Sequence, residues 1–116
     1  KVVSNGRVYD SKLEKAVADE LYWRQKTGEF KEIKEQYPVT YYINGHKVAK
    51  NIIDFRCERP DGTFHFVEAK GAETERYRIL KQLAIAMLAG MYPDCDYSLV
   101  KGSYRRLKWK LLTLVR

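Results

Sequence analysis

Glu68 and Lys70 stand two residues apart in FVEAKG (66–71), at the end of an apolar run. Because successive strand residues alternate between the two faces of a sheet, residues two apart point to the same side. An acid and a base would therefore end a face that begins with Phe64 and Phe66. Such an arrangement, placed at the end of a buried strand, suggests a chemical role.

A second acid is predicted to face Glu68 across a hairpin. The segment 59–63 has the composition of a turn, and Asp54 and Glu68 are equally far from its central residue, Asp61. Residues directly opposed in an antiparallel pair have Cβ atoms about 5 Å apart, and like charges there are destabilising. Two carboxylates held that close require a cation. Ligation by oxygen alone favours Mg²⁺ or Mn²⁺ over zinc.

Two further side chains complete a hydrolytic set. Lys70 would lie beside the metal and the water that it activates, and Glu14 borders the apolar stripe of a predicted helix. Divalent metals polarise a phosphate and lower the pKa of an attacking water, and a lysine can stabilise the developing charge. The set therefore suits phosphodiester hydrolysis. The alternative is that Asp54, Glu68 and Lys70 form a salt-bridge cluster on a solvated strand edge.

The elements that would position this set follow from local patterns. Residues 11–26 are predicted to form a helix that begins with a capping box of Ser11 and Glu14. Asn44 and Gly45 predict a tight hairpin between two strands, and the turn at 59–63 joins the second of them to a third. The predicted strands are 38–43, 46–57 and 64–70, followed by a helix at 73–91 and a strand at 96–100.

Apolar residues occur on both faces of the three predicted strands. Alternation places Ile53, Phe55 and Val67 on one face and Ile52, Phe64 and Phe66 on the other. A sheet buried on both sides needs helices on both sides. The sequence therefore predicts a single α/β domain over 1–116, with a mixed central sheet of four or five strands flanked by helices. The apolar positions of the tail after Val100 fit neither helical nor strand periodicity.

The order of these motifs resembles the PD-(D/E)XK nuclease superfamily, in which an acid on one strand is followed by (D/E)-x-K on the next. Asp54 matches the first acid, Glu68 and Lys70 match the second motif, and Glu14 matches a helical glutamate found in many members. Ile53 stands where the name-giving proline would be. The sequence looks most like small phage-encoded endonucleases and is similar in layout to Holliday junction resolvases.

The resemblance implies a restriction-endonuclease-like fold and a metal-dependent DNA endonuclease, with branched DNA as an alternative substrate. It implies Asp54, Glu68, Glu14 and Lys70 as catalytic residues, and a metal site formed by Asp54, Glu68, Glu14 and Ala69. For a phage-encoded enzyme, the expected location is the cytoplasm of the bacterial host.

The charge of the chain favours a polyanionic partner. There are 22 Lys and Arg against 15 Asp and Glu, a net charge of +7, and phosphate attraction is additive. Arg78, Lys81 and Gln82 form a predicted polar helix face that could contact DNA, although a solvated face is the alternative. The tail adds basic residues interleaved with aromatic ones, which would contact DNA or close the core: Arg105, Arg106, Lys108 and Lys110.

Other features narrow the class of protein. Cys57 and Cys95 match no metal-ligand spacing, and Cys57 is expected to be a core residue. No apolar run is long enough to span a bilayer. The first residue is Lys, so an N-terminal segment is expected to be missing.

We also predict a homodimer, because one site cuts one strand and Ile85 interrupts a polar helix face. A non-catalytic nucleic-acid-binding module and a structural oligomer with surface acids are the other candidate classes.

Overall fold

The computed structural model describes residues 1–4 and 6–113. Their elements, in chain order, are β1 (Val2–Ser4), β2 (Arg7–Tyr9), α1 (Lys12–Lys26), β3 (Glu32–Ile43), β4 (His46–Glu58), β5 (Phe64–Ala69), α2 (Glu75–Met91), β6 (Asp96–Ser103) and β7 (Arg106–Leu111). The small antiparallel hairpin β1–β2 was not predicted from the sequence. Neither helix is long and apolar enough to cross a membrane.

Both helices begin at the capping residues that sequence chemistry favours. The Oγ of Ser11 accepts a hydrogen bond from the backbone N–H of Glu14 at 3.0 Å, which fixes the first turn of α1. The Oγ1 of Thr74 does the same for the N–H of Tyr77 at 3.1 Å at the start of α2. The predicted helix at 11–26 is therefore confirmed, and α2 begins two residues later than predicted.

The central sheet has five strands in the order β3–β4–β5–β6–β7. β3 and β4 form the predicted hairpin, in which Asn44 and Gly45 both adopt positive φ, of 51° and 78°. β5 and β6 are parallel and are connected through α2, whereas the other pairs are antiparallel. The predicted mixed sheet flanked by helices is confirmed, and the ambiguous tail supplies its last edge strand.

One apolar core lies on each side of the sheet. Phe66 and Val67 are adjacent on β5, so they point to opposite faces, and each belongs to a different core. On one face α1 packs through Val17 and Leu21, and on the other α2 packs through Ala84 and Leu88. Cys57 is fully buried with a free thiol, as expected of a core residue.

The faces of β3 and β4 exchange halfway along the strands. Phe55 belongs to the core under α1, whereas Ile53 belongs to the core under α2, although regular alternation would place both on one face. In β3, opposite this point, Gln36 adopts a positive φ of 52°. The prediction that Ile53 and Phe55 share a face is therefore wrong, and Ile52 is half exposed rather than buried. The local break in the pleat at Gln36 and Asp54 explains both errors.

The position of β7 depends on Gly102, and this dependence can be measured. A Cβ at Gly102 would lie 2.4 Å from the backbone oxygen of Arg106, whereas a Cβ at Gly28 would contact nothing, although φ is nearly equal at the two sites, +93° and +94°. We expect Gly28→Ala to cost about 1 kcal/mol through its left-handed backbone. Gly102→Ala should cost about 1–3 kcal/mol more, because β7 must shift.

Urea unfolding of the two variants gives this comparison directly. Gly28→Ala is the matched control, because it has the same backbone strain without the steric contact. Equal losses of unfolding free energy would contradict the close approach of β6 and β7.

Candidate active site

The predicted register between β4 and β5 is confirmed. Phe55 pairs with Val67 and Glu58 with Phe64, so the next position in the same register places Asp54 across from Glu68. The regular backbone pairing ends at Phe55 and Val67, and beyond this point the Asp54 side chain makes the next hydrogen bond between the two strands. Its Oδ2 accepts a hydrogen bond from the backbone N–H of Ala69 at 2.9 Å. Asp54 therefore holds the ends of the two strands together.

Asp54 is a buried carboxylate, with 6% of its surface exposed. Burial raises its pKa, while the hydrogen bond from Ala69 and the charge of Lys70 partly offset the rise. A hydrogen bond with the Gln36 side chain also lowers this pKa, so the residue at the break in β3 contacts the site. The charged form of Asp54 is thus costly in the free protein and is sustained by a few polar neighbours.

Glu68 lies on the α2 face and is more deeply buried, with 1% exposed. The hydroxyl of Tyr97 donates to its Oε2 at 2.6 Å, and the Tyr77 hydroxyl lies 3.1 Å from that of Tyr97. Because the proton of Tyr97 is directed to Glu68, Tyr77 donates to Tyr97 in turn. Burial raises the pKa of Glu68 to about 7, and the charge of Asp54 adds to this rise. Two tyrosines, one from α2 and one from β6, thus fix the position of this carboxylate.

Glu14 reaches the same region from the other side of the sheet. It lies in the first turn of α1, one residue after Leu13, which packs in the core under that helix. Burial raises the pKa of Glu14 to about 7, and the charges of Asp54 and Asp10 contribute to the rise. The charge of Asp54 acts on Glu14, so the helical acid lies within electrostatic range of this strand acid, and its role in the site stays a prediction.

Lys70 follows directly after β5, and its backbone N–H donates to the carbonyl of Val100 at 3.0 Å. Its Nζ lies 5.1 Å from the centre of the Tyr77 ring. Among the described residues it forms no ion pair, although its charge lowers the pKa of Glu14, Asp54 and Glu68. With both strand acids buried, the alternative of a solvated salt-bridge cluster does not describe this site.

The carboxylate oxygens at this site are suitable ligands for a hard divalent cation, but they do not point to a common metal position. Among the residues that the structure describes, no group of three or more His, Cys, Asp or Glu side chains is placed to hold a metal ion. The donor chemistry nevertheless fits Mg²⁺ or Mn²⁺, because these ions prefer carboxylate oxygens and none of the three acids forms an ion pair among the described residues. Of the predicted ligand set, Ala69 could contribute only its backbone carbonyl oxygen. Binding would require the side chains of Glu14, Asp54 and Glu68 to turn toward a common centre.

The predicted nucleic-acid-binding residues differ in exposure and in whether their side chains form ion pairs with acidic neighbours. Arg78 and Gln82 are exposed on α2, whereas Lys81 forms an ion pair with Glu73, which also binds Lys101 at 3.1 Å. The tail helps to close the core, as one of its two predicted purposes requires, while its contact with DNA stays a prediction. Leu107 and Trp109 pack against the core under α1. The basic side chains of the tail are exposed: Arg105, Arg106, Lys108 and Lys110.

The argument for a dimer from Ile85 is not supported by the structure. Ile85 packs against the core under α2 rather than standing free, and the exposed isoleucine of this helix is Ile79. In the tail, Leu112 also packs against that core, and Leu114 lies outside the described residues. The homodimer stays a prediction.

Sequence reasoning missed the residues that support the site. Tyr97 and Tyr77 position Glu68, Gln36 contacts Asp54, and Asp10 adds negative charge beside Glu14. The tyrosines occupy ordinary core positions of a strand and a helix, so no local pattern distinguishes them. Asp10 could have been found, because it immediately precedes the helix cap Ser11.

No protein-family model matches the sequence, and no curated protein matches it significantly. Among solved structures, the crystal structure of SSO0001 is similar with a TM-score of 0.46 and 16% sequence identity. The match covers 84% of this chain and 50% of that one, so this chain spans about half the length of SSO0001. At this level of similarity the match carries no inference about function.

The raised pKa values predict an unusual dependence of stability on pH. Glu14 and Glu68 have ordinary pKa values of 4.5 and folded-state values of about 7, so between these limits both bind more protons in the folded protein than in the unfolded chain. Burial lowers the pKa of His65 from 6.5 to about 4, which acts in the opposite sense and offsets one of these two groups over most of the range. Without divalent cations, the free energy of unfolding should therefore fall as pH rises from about 4.5 to about 7. Glu68 alone would contribute at most about 3 kcal/mol.

Urea unfolding at several pH values in this range, with a chelator present, measures the effect. Glu68→Gln should remove much of the slope, because glutamine does not titrate. The fold should be kept, since the amide oxygen can still accept a hydrogen bond from Tyr97. Glu20→Gln, on the outer side of α1, is the control and should keep the slope. A wild-type stability that rises steadily over this range would show that the acids are not destabilised by burial.

Proposed function

We propose that this protein is a metal-dependent DNA endonuclease that hydrolyses phosphodiester bonds with Mg²⁺ or Mn²⁺. The observation that supports this most strongly is that Asp54 of β4 lies across from Glu68 of β5 and interacts electrostatically with Glu14 of α1, with the charge of Lys70 acting on all three acids. Burial raises the pKa of each acid, and the charge of Asp54 adds to the rise for Glu14 and Glu68. None of the three acids forms an ion pair among the described residues. Perturbed carboxyl groups at one place are typical of functional sites.

The acids of the chain would perform two tasks. Asp54, Glu68 and Glu14 would supply the oxygen ligands, and they must lose their protons to do so. Because Glu14 and Glu68 have pKa values of about 7, cation affinity should increase as pH rises through that value. A bound divalent cation would polarise the phosphate and lower the pKa of the attacking water.

Lys70 would act on the phosphate rather than on the cation. Its ammonium group extends from the end of β5, and its charge influences all three acids. There it can stabilise the negative charge that develops on the phosphate in the transition state. The hydrogen bond from its backbone N–H to Val100 fixes the main chain from which the side chain extends.

The assignment of the acids is tested by cleavage of linear, nicked, flapped and four-way DNA with Mg²⁺ or Mn²⁺. We expect cleavage that stops on chelation, and we expect Asp54→Asn and Glu68→Gln to reduce it to the rate without protein. Both variants should be as stable as the wild type or more stable at pH 8, because each removes a repelled buried charge.

Glu14→Gln should also abolish cleavage, with Glu20→Gln as its control on the same helix. Full activity in both strand-acid variants would end the assignment. If the wild type binds DNA but cuts none of these substrates, the protein is instead a nucleic-acid-binding module.

Lys70 allows a sharper distinction between chemistry and metal binding. Lys70→Gln should slow cleavage about 100- to 1000-fold, as expected for loss of one group that stabilises the transition state. Its affinity for Mn²⁺, measured by calorimetry, should stay close to that of the wild type, since an ammonium group is not a ligand. A collapse of Mn²⁺ binding with loss of the fold would identify Lys70 as a structural residue.

A further inference from the structure

The β3–β4 hairpin extends beyond the candidate active site. In the described structure β4 pairs with β5 only from Phe55 to Glu58, whereas its earlier part pairs with β3 alone. We call residues 37–53 of this hairpin the arm. Val39, Tyr41 and Ile53 of the arm pack against α2. The side of the arm near the start of α2 remains open, and a groove follows it.

Two cavities make up this groove. The first, of about 260 Å³, begins at the active site and includes Glu68, Lys70, Asn51 and Tyr77 in its lining. The second, of about 610 Å³, continues toward the hairpin turn and includes Lys47, Val48 and Ile79. Both cavities are lined by Lys50, Arg76 and Leu80, so they share one wall. The groove therefore leads from Glu68 and Lys70 to the far part of the arm.

The cations of this groove outnumber the one acid of the second cavity, Glu75, and they are not paired with it. Lys47, Lys50 and Arg76 are exposed, and none of them forms an ion pair with a carboxylate in the described part of the chain. By contrast, Lys81 and Lys101 both bind Glu73. Free cations that flank a groove attract a ligand with repeated negative charge.

The walls of the groove are apolar between these cations. Val48, Ile52 and Ile79 are 47%, 50% and 59% exposed, which is high for aliphatic side chains. A nucleic-acid strand presents phosphates along one side and less polar sugars and bases along the other. From Asn51 to Lys47 the strand rises about 13 Å, which corresponds to about four nucleotide steps of B-form DNA.

We infer that this groove holds the nucleic-acid strand next to the scissile phosphate, with Lys50, Arg76 and Lys47 contacting successive phosphates. This inference rests on the proposed function and adds the surface that guides the substrate. It differs from the sequence-based expectation, which placed DNA on the Arg78 face of α2 and on the tail.

Salt-dependent binding of labelled DNA tests the inference. Fluorescence anisotropy with a single strand of about 16 nucleotides, and with the matching duplex, is measured in chelator so that no cleavage occurs. Lys50→Gln combined with Arg76→Gln should make the salt slope for the single strand shallower by about 1.4. Affinity at about 0.1 M salt should fall about 25-fold.

Two variants of equal charge change serve as comparisons, and circular dichroism checks that each folds. Lys26→Gln with Lys34→Gln removes two exposed lysines that line neither cavity and form no ion pair with any residue the structure describes, and it should change affinity less than twofold. Arg105→Gln with Lys108→Gln tests the tail. An unchanged slope in the groove variant, or a larger change in the tail variant, would overturn the inference.

Hydrolysis of bis(p-nitrophenyl) phosphate with Mn²⁺ separates this inference from the proposed function, because that small diester does not need the groove. Hydrolysis by the wild type together with groove-dependent DNA binding supports both. Hydrolysis with an unchanged salt slope in the groove variant refutes the groove alone. Groove-dependent DNA binding without hydrolysis of either substrate refutes the nuclease and supports the binding surface.

Discussion

The carboxylates of Asp54 and Glu68 lie at the ends of neighbouring strands where water is largely excluded, and hydrogen bonds restrain both of them. The N–H of Ala69 holds the first and the hydroxyl of Tyr97 holds the second. Leaving either acid without its donor would add the cost of an unsatisfied buried group to the repulsion already present. The surrounding elements reflect this constraint. The β4–β5 ladder stops there, and the first turn of α2 supplies Tyr77 to support Tyr97.

The same constraint explains why the site combines rigidity with an unfavourable charge state. The acids are attached to strands and a capped helix, so the backbone cannot relax their repulsion. Protonation of an acid removes this repulsion, and it is therefore favoured at Glu14 and Glu68, whose pKa values are raised to about 7. A site of this kind is costly to the free protein but well suited to a divalent cation, which would replace the protons and attract the acids. Stability given up here is compensated by two apolar cores, one on each side of the sheet.

Local chemistry made much of this architecture predictable. The Ser11 cap, the Asn44 turn and the symmetric turn around Asp61 each act over a few residues, and together they set the helix, the hairpin and the register of the acids. The exchange of faces was not predictable, because it depends on a non-glycine residue, Gln36, in a left-handed conformation that only the packed structure sustains. The groove was equally hidden, since Lys50 and Arg76 are distant in sequence and belong to elements that only the fold brings together.

The two edges of the sheet have a further consequence for how copies of the chain meet. A free strand edge is a template on which another chain can add a strand. Here β3 carries Pro38, which cannot donate a hydrogen bond, and Gln36 breaks its pleat. On β7 the exposed side chains of Arg106, Lys108 and Lys110 alternate with the partly buried side chains of Leu107 and Trp109. A second copy approaching either edge would meet a missing donor or a row of like charges. The basic tail thus opposes aggregation through sheet extension, a role that requires no DNA.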